Sequence, residues 1–432
     1  MIVSILQYGA KADGSLCTKA IQDAIDACFL SGGGEVTVPA GNFRTGGLRL
    51  RSNVTLHLLE NAILEGSRDP EDYMGFWQDS IEPLPADAET YKVDTAHDDA
   101  NGDSVFPYSR WNNALIRAIH AQNIAIIGEQ GSEINGMNCY DPQGEENYRG
   151  PHPINCWFCE NITLQGYTIR DGGNWGHAIQ NSRHIHVRNV TVLGGHDGFD
   201  VRTCDDILVE DCTFLTGDDC IAGFDNIDVT IRNCVFESAC SVLRFGGTNV
   251  LVENCKAYPP IHYGFRGKLP IKDRIAGNKS EPDPDRPEAL NAFLYYCDRR
   301  AKVRQTPGNI MIRNCSFKGM KRIFRMPFGH KWCCNRSLAD ITFENCLFEN
   351  VSMIGFASSS EKENPLTLRL KDSIVVARQG SEEIAFAELQ DCAELVLENL
   401  KLENFDDPWM ICPKDCRVTI NNTSPLRVER AD

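Results

Sequence analysis

Three aspartates, Asp197, Asp218 and Asp219, occupy matching positions in two copies of one sequence pattern. The first copy begins at His184 and the second at Asp206, an offset of 22 residues that aligns Asp197 with Asp219. If each copy is one coil of a solenoid, strands of successive coils lie about 4.8 Å apart and the aligned carboxyls are close neighbours. Like charges at that distance raise the pKa of one member. Such a pair suits a reaction in which one carboxyl donates a proton and another activates water, as in glycoside hydrolysis.

Two other interpretations fit the same acids. Acid-rich turns are common in repeat proteins, and carboxylate oxygens also form calcium sites. Asp200 and the pair Asp205 and Asp206 lie close by in sequence, but acids in turns are more often solvated, so Asp200 is a reserve candidate. Spacing by itself does not decide between catalysis and these alternatives.

Basic residues downstream indicate what the acids could act on. Arg266 and Lys268, in HYGFRGKLP, follow the acids by about two repeats, and alternation along an extended segment would place both side chains on one face. A guanidinium fork beside an ammonium group suits a sugar carboxylate. Arg244, in the intervening repeat, is a further candidate. The alternative is that these cations form salt bridges with the acids themselves.

The elements that must position these residues are short strands repeated along the chain. Copies of the pattern begin at Asn161, His184, Asp206, Asp228, Asn249, Asn309, Asp340 and Glu394, and the first four intervals are 23, 22, 22 and 21 residues. One position of the repeat is Asn or Asp, which tolerate the backbone angles of tight turns and can hydrogen-bond from coil to coil. This periodicity predicts an all-β fold, a single-stranded right-handed parallel β-helix.

We expect residues 1–432 to form a single β-helix domain. Apolar side chains at helical spacing in residues 17–30 predict a short helix that caps the N-terminal end of the solenoid. Segments at about 69–115 and 268–308 interrupt the repeat, and we expect them to wall a substrate groove. Trp77, Trp111 and Trp332 are candidate platforms for sugar rings, with core packing as the alternative.

The amino-acid composition argues against several classes of binding partner. A net charge of -17 argues against nucleic acid or an anionic membrane, and no apolar run is long enough to cross a bilayer. The N-terminal MIVSILQYGAKADG lacks the charged start and apolar run of a signal peptide. We therefore expect a cytoplasmic protein, or a secreted one if a leader has been removed. The oligomeric state is not indicated.

The 19 cysteines are interpreted as small buried apolar side chains, because those that follow the repeated Asn share a column with Val190 and Leu400. The pairs Cys156 with Cys159 and Cys333 with Cys334 could ligate a metal, but no second pair at zinc spacing accompanies them. The sequence predicts no metal and no cofactor.

Three short motifs lie on successive parts of the repeat: GHDG at 195–198, GDD at 217–219 and RGK at 266–268. Together with YGAKADG and AIQDAIDAC near the N-terminus, they make most of the chain resemble glycoside hydrolase family 28, the polygalacturonase-type pectin hydrolases. The motifs of that family are N-T-D-G, G-D-D, G-H-G and R-I-K. The resemblance implies hydrolysis with inversion, in which Asp218 is the general acid and Asp197 and Asp219 activate the water.

The G-H-G motif has no counterpart, since residues 239–242 read Ala-Cys-Ser-Val. The histidine of the family supports the acid, so the resemblance implies that another group replaces it or that the chemistry has changed. His196 replaces the threonine of N-T-D-G, and His177 and His262 are other candidate replacements and substrate contacts. The alternative for each is a surface or packing histidine.

The combined expectation is a glycosidase that cleaves a pectin-type or related plant oligosaccharide, galacturonide or rhamnogalacturonan-like, by exo action with inversion. Carboxyls one coil apart would be closer than inverting pairs usually are, unless the side chains splay. Two alternatives are a calcium-dependent β-helical polysaccharide lyase, with a base such as Arg266 as proton acceptor, and a non-catalytic glycan-binding solenoid.

Overall fold

The computed structural model of the protein describes residues 1–74, 81, 110–285, 288–297, 304–327, 337–357, 366–379, 387–390 and 392–431. These residues divide into two compact units. Unit 1 contains Met1–Ile207, Leu215–Gly217 and Tyr263–Glu281, and unit 2 contains Leu208–Phe214, Asp218–His262 and Pro282–Asp432. Most of the excursion at 69–115 lies outside the described residues, as do Trp77, Trp332, Cys333 and Cys334.

The elements are mostly short strands. The first part of the chain contains β1 (Ile2–Ser4), α1 (Thr18–Leu30), β2 (Gly34–Val38), β3 (Gly41–Thr45), β4 (Leu48–Arg49), β5 (Val54–Leu58), β6 (Ala62–Gly66), β7 (Ala114–Ile119), β8 (Gln122–Gly128), β9 (Glu133–Asn135), β10 (His152–Trp157), β11 (Glu160–Gln165), β12 (Thr168–Arg170), β13 (His177–Gln180), β14 (Arg183–Arg188), β15 (Thr191–Gly194) and β16 (Phe199–Arg202). Short 3-10 helices lie at Ile5–Tyr8, Pro70–Tyr73, Arg110–Asn112, Glu145–Asn147 and Arg266–Lys268.

The rest of the chain continues the same pattern. It contains β17 (Asp205–Glu210), β18 (Thr213–Thr216), β19 (Ile221–Arg232), β20 (Val235–Ser238), β21 (Ser241–Glu253), β22 (Lys256–Ala257), α2 (Ile271–Ala276), β23 (Ala289–Tyr295), β24 (Gly308–Arg313), β25 (Ser316–Met326), β26 (Asp340–Glu344), β27 (Leu347–Ala357), β28 (Leu366–Lys371), β29 (Ile374–Ala377), β30 (Ala387–Leu389), β31 (Cys392–Glu398), β32 (Lys401–Glu403), β33 (Trp409–Pro413), β34 (Arg417–Asn421) and β35 (Arg427–Ala431).

Unit 1 stacks its strands in three parallel columns: β1, β2, β5, β8, β11 and β14; β3, β6, β9, β12 and β15; and β4, β7, β10, β13 and β16. In the first column Leu56 pairs with Ile126, Ile126 with Leu164, and Leu164 with Val187. All four side chains are buried, because period-two alternation turns the same face of every strand inward. The core is therefore a continuous stack of aliphatic side chains.

Unit 2 repeats this arrangement, which confirms the predicted right-handed parallel β-helix. Its columns are β19, β21, β24, β26, β28, β31 and β34; β20, β22, β25, β27, β29 and β32; and the first halves of β19 and β21 followed by β23, β25, β27, β30, β33 and β35. The segment 268–308, which the sequence predicted as an interruption of the repeat, contains the strand β23. Part of this segment therefore belongs to the regular strand columns. The apolar run ALNAFLY of β23 is buried between β21 and β25.

Turns between strands carry the repeated Asn or Asp in a left-handed backbone conformation. Asn233, Asn314 and Asn345 have φ of 55°, 54° and 50°. The Asn345 amide donates to Asn314 Oδ1 at 2.7 Å, and Asn233 donates to Asp211 Oδ1 at 3.2 Å. Since Asn adopts this conformation more readily than most residues and its amide stacks, one residue type satisfies both demands of the turn.

The cysteines of the described residues are all free thiols, and all of them except the half-buried Cys240 are buried. Cys234 and Cys255 donate their thiol hydrogens to backbone carbonyls two residues earlier, at 3.2 and 3.3 Å. They fill the column of small apolar side chains that the sequence predicts.

The N-terminal helix is also confirmed. The helix α1 buries Ile21, Ala24, Ile25 and Cys28 and packs against β1, β2, β4 and β5. Among the described residues, no helix is long and apolar enough to cross a membrane.

Replacing Asn345 tests the turn ladder. Asn345→Ala removes the amide and places an alanine at positive φ, which costs about 1–2 kcal/mol, so we expect the thermal midpoint of the variant to fall by about 1–2 °C. Asn345→Gly is the matched control, because glycine tolerates positive φ and loses only the hydrogen bond. Calorimetry should show a smaller loss for the glycine variant, and equal losses would contradict the role of backbone conformation.

Candidate active site

In unit 1 the GHDG motif forms the turn between β15 and β16. The carbonyl oxygen of Gly195 accepts a hydrogen bond from the Arg266 backbone N–H at 3.0 Å. The carbonyl oxygen of Gly198 accepts from His177 Nδ1 at 3.1 Å. Arg266 and His177, which the sequence predicted as substrate contacts, thus bind the backbone of this turn and position Asp197 and its neighbours.

His196 and Asp197 are both buried in this turn. The Arg149 guanidinium lies 2.9 Å from His196 Nδ1, and because a guanidinium only donates, Nδ1 must accept and Nε2 carries the hydrogen. Burial, and then the charge of Arg149, holds the pKa of His196 well below its usual range. His196 is therefore a neutral hydrogen-bond donor and not a proton shuttle. Arg149 was not singled out by sequence reasoning, because it lies 47 residues away.

His177 is completely buried, and both of its ring nitrogens are occupied. Nδ1 donates to the carbonyl of Gly198, and Nε2 lies 3.0 Å from the Tyr167 hydroxyl. Burial lowers the pKa of His177 to about 4, so the ring stays neutral at physiological pH. These contacts favour the packing interpretation of His177.

The extended segment expected at Arg266 and Lys268 is wrong, because these residues form a 3-10 turn. The buried guanidinium of Arg266 donates to the carbonyl oxygens of Asn278, Asn138 and Arg274 at 2.7, 3.2 and 3.1 Å. Burial lowers the pKa of Arg266 to about 10, which leaves it charged at neutral pH. Arg266 thus ties loops of unit 1 together, whereas Lys268 is exposed.

In unit 2 the GDD motif places Asp218 and Asp219 directly before β19. Carboxylate oxygens of the two residues lie within 4.8 Å of each other; Asp218 is half-buried and Asp219 is buried. The backbone N–H of Ser241 donates to Asp219 Oδ1 at 2.9 Å. Arg244 Nη1 lies 3.7 Å from Asp219 Oδ2, and its guanidinium stacks 3.7 Å from the ring centre of Tyr296.

The buried carboxyl of Asp219 retains a proton near neutral pH. Burial first, and the charge of Asp218 second, raise the pKa of Asp219 to about 7, against the opposing effects of Arg244 and Ser241. This is the condition that acid–base hydrolysis requires.

The remaining candidates in unit 2 are Arg244 and His262. Arg244 makes a salt bridge to Asp219. This contact is the alternative to substrate binding that the sequence analysis left open for the basic residues. His262 Nδ1 lies 2.6 Å from the buried carboxylate of Glu237, which sequence reasoning did not single out. His262 is exposed on its other side, so it can contact a ligand while Glu237 orients it.

Metal binding has limited support within unit 2. Asp218 and Asp219 supply carboxylate ligands, whereas calcium takes about six to eight oxygens. The charge of Arg244 beside Asp219 also opposes cation binding at this carboxyl.

Comparisons with known proteins show what this chain is similar to. A model described as glycosyl hydrolases family 28 matches residues 92–256. A probable polygalacturonase from Vitis vinifera is 29% identical over 232 residues, which are 51% of this chain and 43% of the relative. An exo-poly-alpha-D-galacturonosidase from Dickeya chrysanthemi is 29% identical over 254 residues, which are 51% of this chain and 41% of the relative. The chain thus spans less than half the length of these curated relatives.

A hyperthermoactive exopolygalacturonase from Thermotoga maritima superimposes with a TM-score of 0.64. The alignment covers 93% of this chain and 92% of the other, at 17% sequence identity. At that identity the likeness shows a shared parallel β-helix and nothing further.

The raised pKa of Asp219 predicts a pH-dependent stability. The folded protein holds this proton between about pH 4 and pH 7, where the unfolded chain has lost it, so the wild-type protein loses stability as the pH rises through that window. Asp219→Asn removes this titration and keeps the acceptor for Ser241. Its thermal midpoint relative to wild type should therefore increase with pH over the window.

Asp285→Asn, at an exposed loop position, is the control and should follow the wild-type curve. Thermal midpoints measured at half-unit intervals of pH would reveal the difference. Parallel curves for Asp219→Asn and wild type would contradict a proton on Asp219.

Proposed function

We propose that this polygalacturonase-like chain is a glycosidase that hydrolyses a pectin-type oligosaccharide of galacturonic acid from one end. The observation that carries the proposal is the pair of adjacent carboxyls in unit 2, one half-buried and one buried with its pKa raised to about 7. The similarity to glycosyl hydrolases family 28 over residues 92–256 supports the reaction class. The names of two similar proteins, an exo-poly-alpha-D-galacturonosidase and an exopolygalacturonase, favour exo action.

In the proposed mechanism Asp197 joins Asp218 and Asp219. The offset of 22 residues between Asp197 and Asp219 equals one coil in each unit, where His177 pairs with Phe199 and Ile221 pairs with Leu243. The proposal takes the role of Asp197 from this coil period and from the resemblance of the GHDG and GDD motifs to those of glycoside hydrolase family 28.

The roles follow from the exposure of each carboxyl. Asp218 is half-buried and can reach a glycosidic oxygen, so it donates the proton to the leaving group. Asp219 then acts in its ionised form and activates water with Asp197, while Asp218 carries the proton when substrate is bound. Water attack on the face opposite the leaving group would give inversion.

Recognition of the sugar carboxylate is assigned to Lys268. Lys268 is exposed on the turn that also contains the buried Arg266. The Arg266 backbone N–H also binds Gly195, so this turn is joined to the GHDG turn that carries Asp197. A compact ammonium group held there would pair with a galacturonate carboxylate near the reacting bond.

Asp218→Asn tests the acid. We expect kcat on defined galacturonic acid oligosaccharides to fall by about 10²–10⁴-fold, because general acid catalysis contributes that much. Asp206→Asn is the matched control, since Asp206 is an acid of the same repeat with a side chain that is 70% exposed. Unchanged turnover in the Asp218 variant would exclude the assigned acid, and a wild-type protein without turnover on galacturonide or rhamnogalacturonan oligosaccharides would exclude the reaction.

The products separate hydrolysis from elimination. Hydrolysis should give saturated products that form equally well in the presence of a chelator, and NMR of the first product should show the inverted anomer. A lyase would instead give an unsaturated, ultraviolet-absorbing product, and a calcium-dependent one would be inactivated by the chelator. That result would replace the proposed hydrolase with the lyase alternative.

A further inference from the structure

Two arginines of unit 2, Arg322 and Arg325, have no counter-charge. Both are half-buried on β25, and neither makes a hydrogen bond, an ion pair or a ring contact with the residues that the structure describes. Burial first, and the charge of Arg325 second, lower the pKa of Arg322, so the two like charges repel each other. Unpaired cations that are partly removed from water destabilise a fold. Folding alone therefore does not account for these two arginines.

Arginines at other positions of unit 2 are paired with acids on neighbouring strands. Arg313 Nη2 lies 2.7 Å from Glu253 Oε2, and Arg232 Nη2 lies 2.6 Å from Glu210 Oε2. Because residues in register lie side by side, an acid on a neighbouring coil is the usual way for a parallel β-helix to compensate a cation on its outer surface. The chain has a net charge of -17, so acids are abundant in its composition.

The strands on both sides of β25 place no acid in register with its two arginines. The paired positions are Asn291 and Met353 for Arg322, and Leu294 and Phe356 for Arg325. The β25 surface thus departs from the pairing found at Arg313 and Arg232, and its positive charge is available to an anionic ligand.

The columns of these arginines lead back to the buried acid. Two coils earlier, Ser241 occupies the column of Arg322. Arg244 likewise occupies the column of Arg325. The Ser241 backbone N–H donates to Asp219 Oδ1 at 2.9 Å, and Arg244 lies 3.7 Å from Asp219 Oδ2. Equivalent residues of stacked strands share one face at a spacing of about 4.8 Å, so β25 lies about 10 Å beyond β21 on the face that meets Asp219.

An acidic oligosaccharide would supply the missing negative charge. Each galacturonate unit carries one carboxylate, and a guanidinium group binds a carboxylate through two parallel hydrogen bonds. An oligosaccharide that reaches Asp219 and extends along the columns of unit 2 would bring the carboxylate of a further unit to β25. Half-burial of the arginines strengthens such a pair, because water screens it less than at a fully exposed surface.

We propose that Arg322 and Arg325 form a carboxylate-binding subsite for a galacturonate unit remote from the cleaved bond. The sugar carboxylate takes the place of the acids that the neighbouring strands do not provide. The identity of the ligand rests on the proposed function, whereas the subsite itself can be tested by binding without turnover.

Arg322→Gln and Arg325→Gln remove the charge and keep a polar side chain. Calorimetric titration with a galacturonic acid trisaccharide, in an Asp218→Asn background that prevents cleavage, should show Kd rising about tenfold for each variant, because each loses a charge-assisted hydrogen bond. With the methyl-esterified trisaccharide, whose carboxyls carry no charge, the variants should bind as the parent protein does. In the catalytically intact protein KM should rise about tenfold while kcat changes by less than about twofold.

Lys321→Gln is the matched control, because it removes the same charge from an exposed neighbour on β25 and should leave Kd within about twofold. Thermal midpoints exclude a structural role. Since each arginine variant removes an uncompensated charge, its midpoint should equal or exceed that of the parent protein. Unchanged Kd in both arginine variants, an equal loss of affinity in Lys321→Gln, or an equal loss for the esterified sugar would overturn the proposal.

The same measurements separate the subsite from the proposed function. If wild type cleaves no galacturonide but binds the acidic trisaccharide through these arginines, the proposed function fails and the subsite stands. If wild type cleaves galacturonides and both arginine variants retain its KM and Kd, the subsite fails and the proposed function stands.

Discussion

The stacking of coils in fixed parallel register is the constraint on which the rest of the structure depends. Each strand residue lies about 4.8 Å from its counterpart one coil away, so similar residues are brought into contact. Phe317 stacks on Phe348 with ring centres 5.4 Å apart, and Asn345 donates to Asn314. Repetition along the sequence becomes adjacency in space. Contact between equivalent residues stabilises stacked apolar and amide side chains, whereas stacked acids repel one another and destabilise the fold.

The buried charges differ in how completely neighbours compensate them. Asp200 receives two hydrogen bonds from Arg202, at 2.7 and 3.0 Å, and Arg266 donates to three carbonyls. Among the described residues, the cation beside Asp219 is Arg244, at 3.7 Å. Its guanidinium also makes a cation–π contact with the ring of Tyr296. Burial, and then the charge of Asp218, leave Asp219 with its pKa near 7, which makes it the buried acid suited to proton transfer.

The features that repeat with the coil period could be predicted from the sequence, whereas the features that depend on long-range contacts could not. The strand columns, the Asn turns and the buried thiols repeat at one coil length, so they could be located by alignment of the chain with itself. The conformation of Arg266 could not, because the carbonyls that bind its guanidinium belong to segments up to 128 residues away. The neutral state of His196 likewise depends on its burial and on the charge of Arg149, which no local pattern connects to it.

The surroundings of Asp219 show how a parallel β-helix can change the residues around a buried acid without changing the backbone fold. Asn291 follows Ser241 by 50 residues, yet register places them side by side, because the intervening segment leaves and rejoins the same column. Any coil neighbour can therefore supply a donor to Asp219. A protonated imidazole there would add positive charge and depress the pKa of the carboxyl. The backbone N–H of Ser241 binds the carboxyl of Asp219 and adds no positive charge, so the pKa of Asp219 stays raised near neutrality.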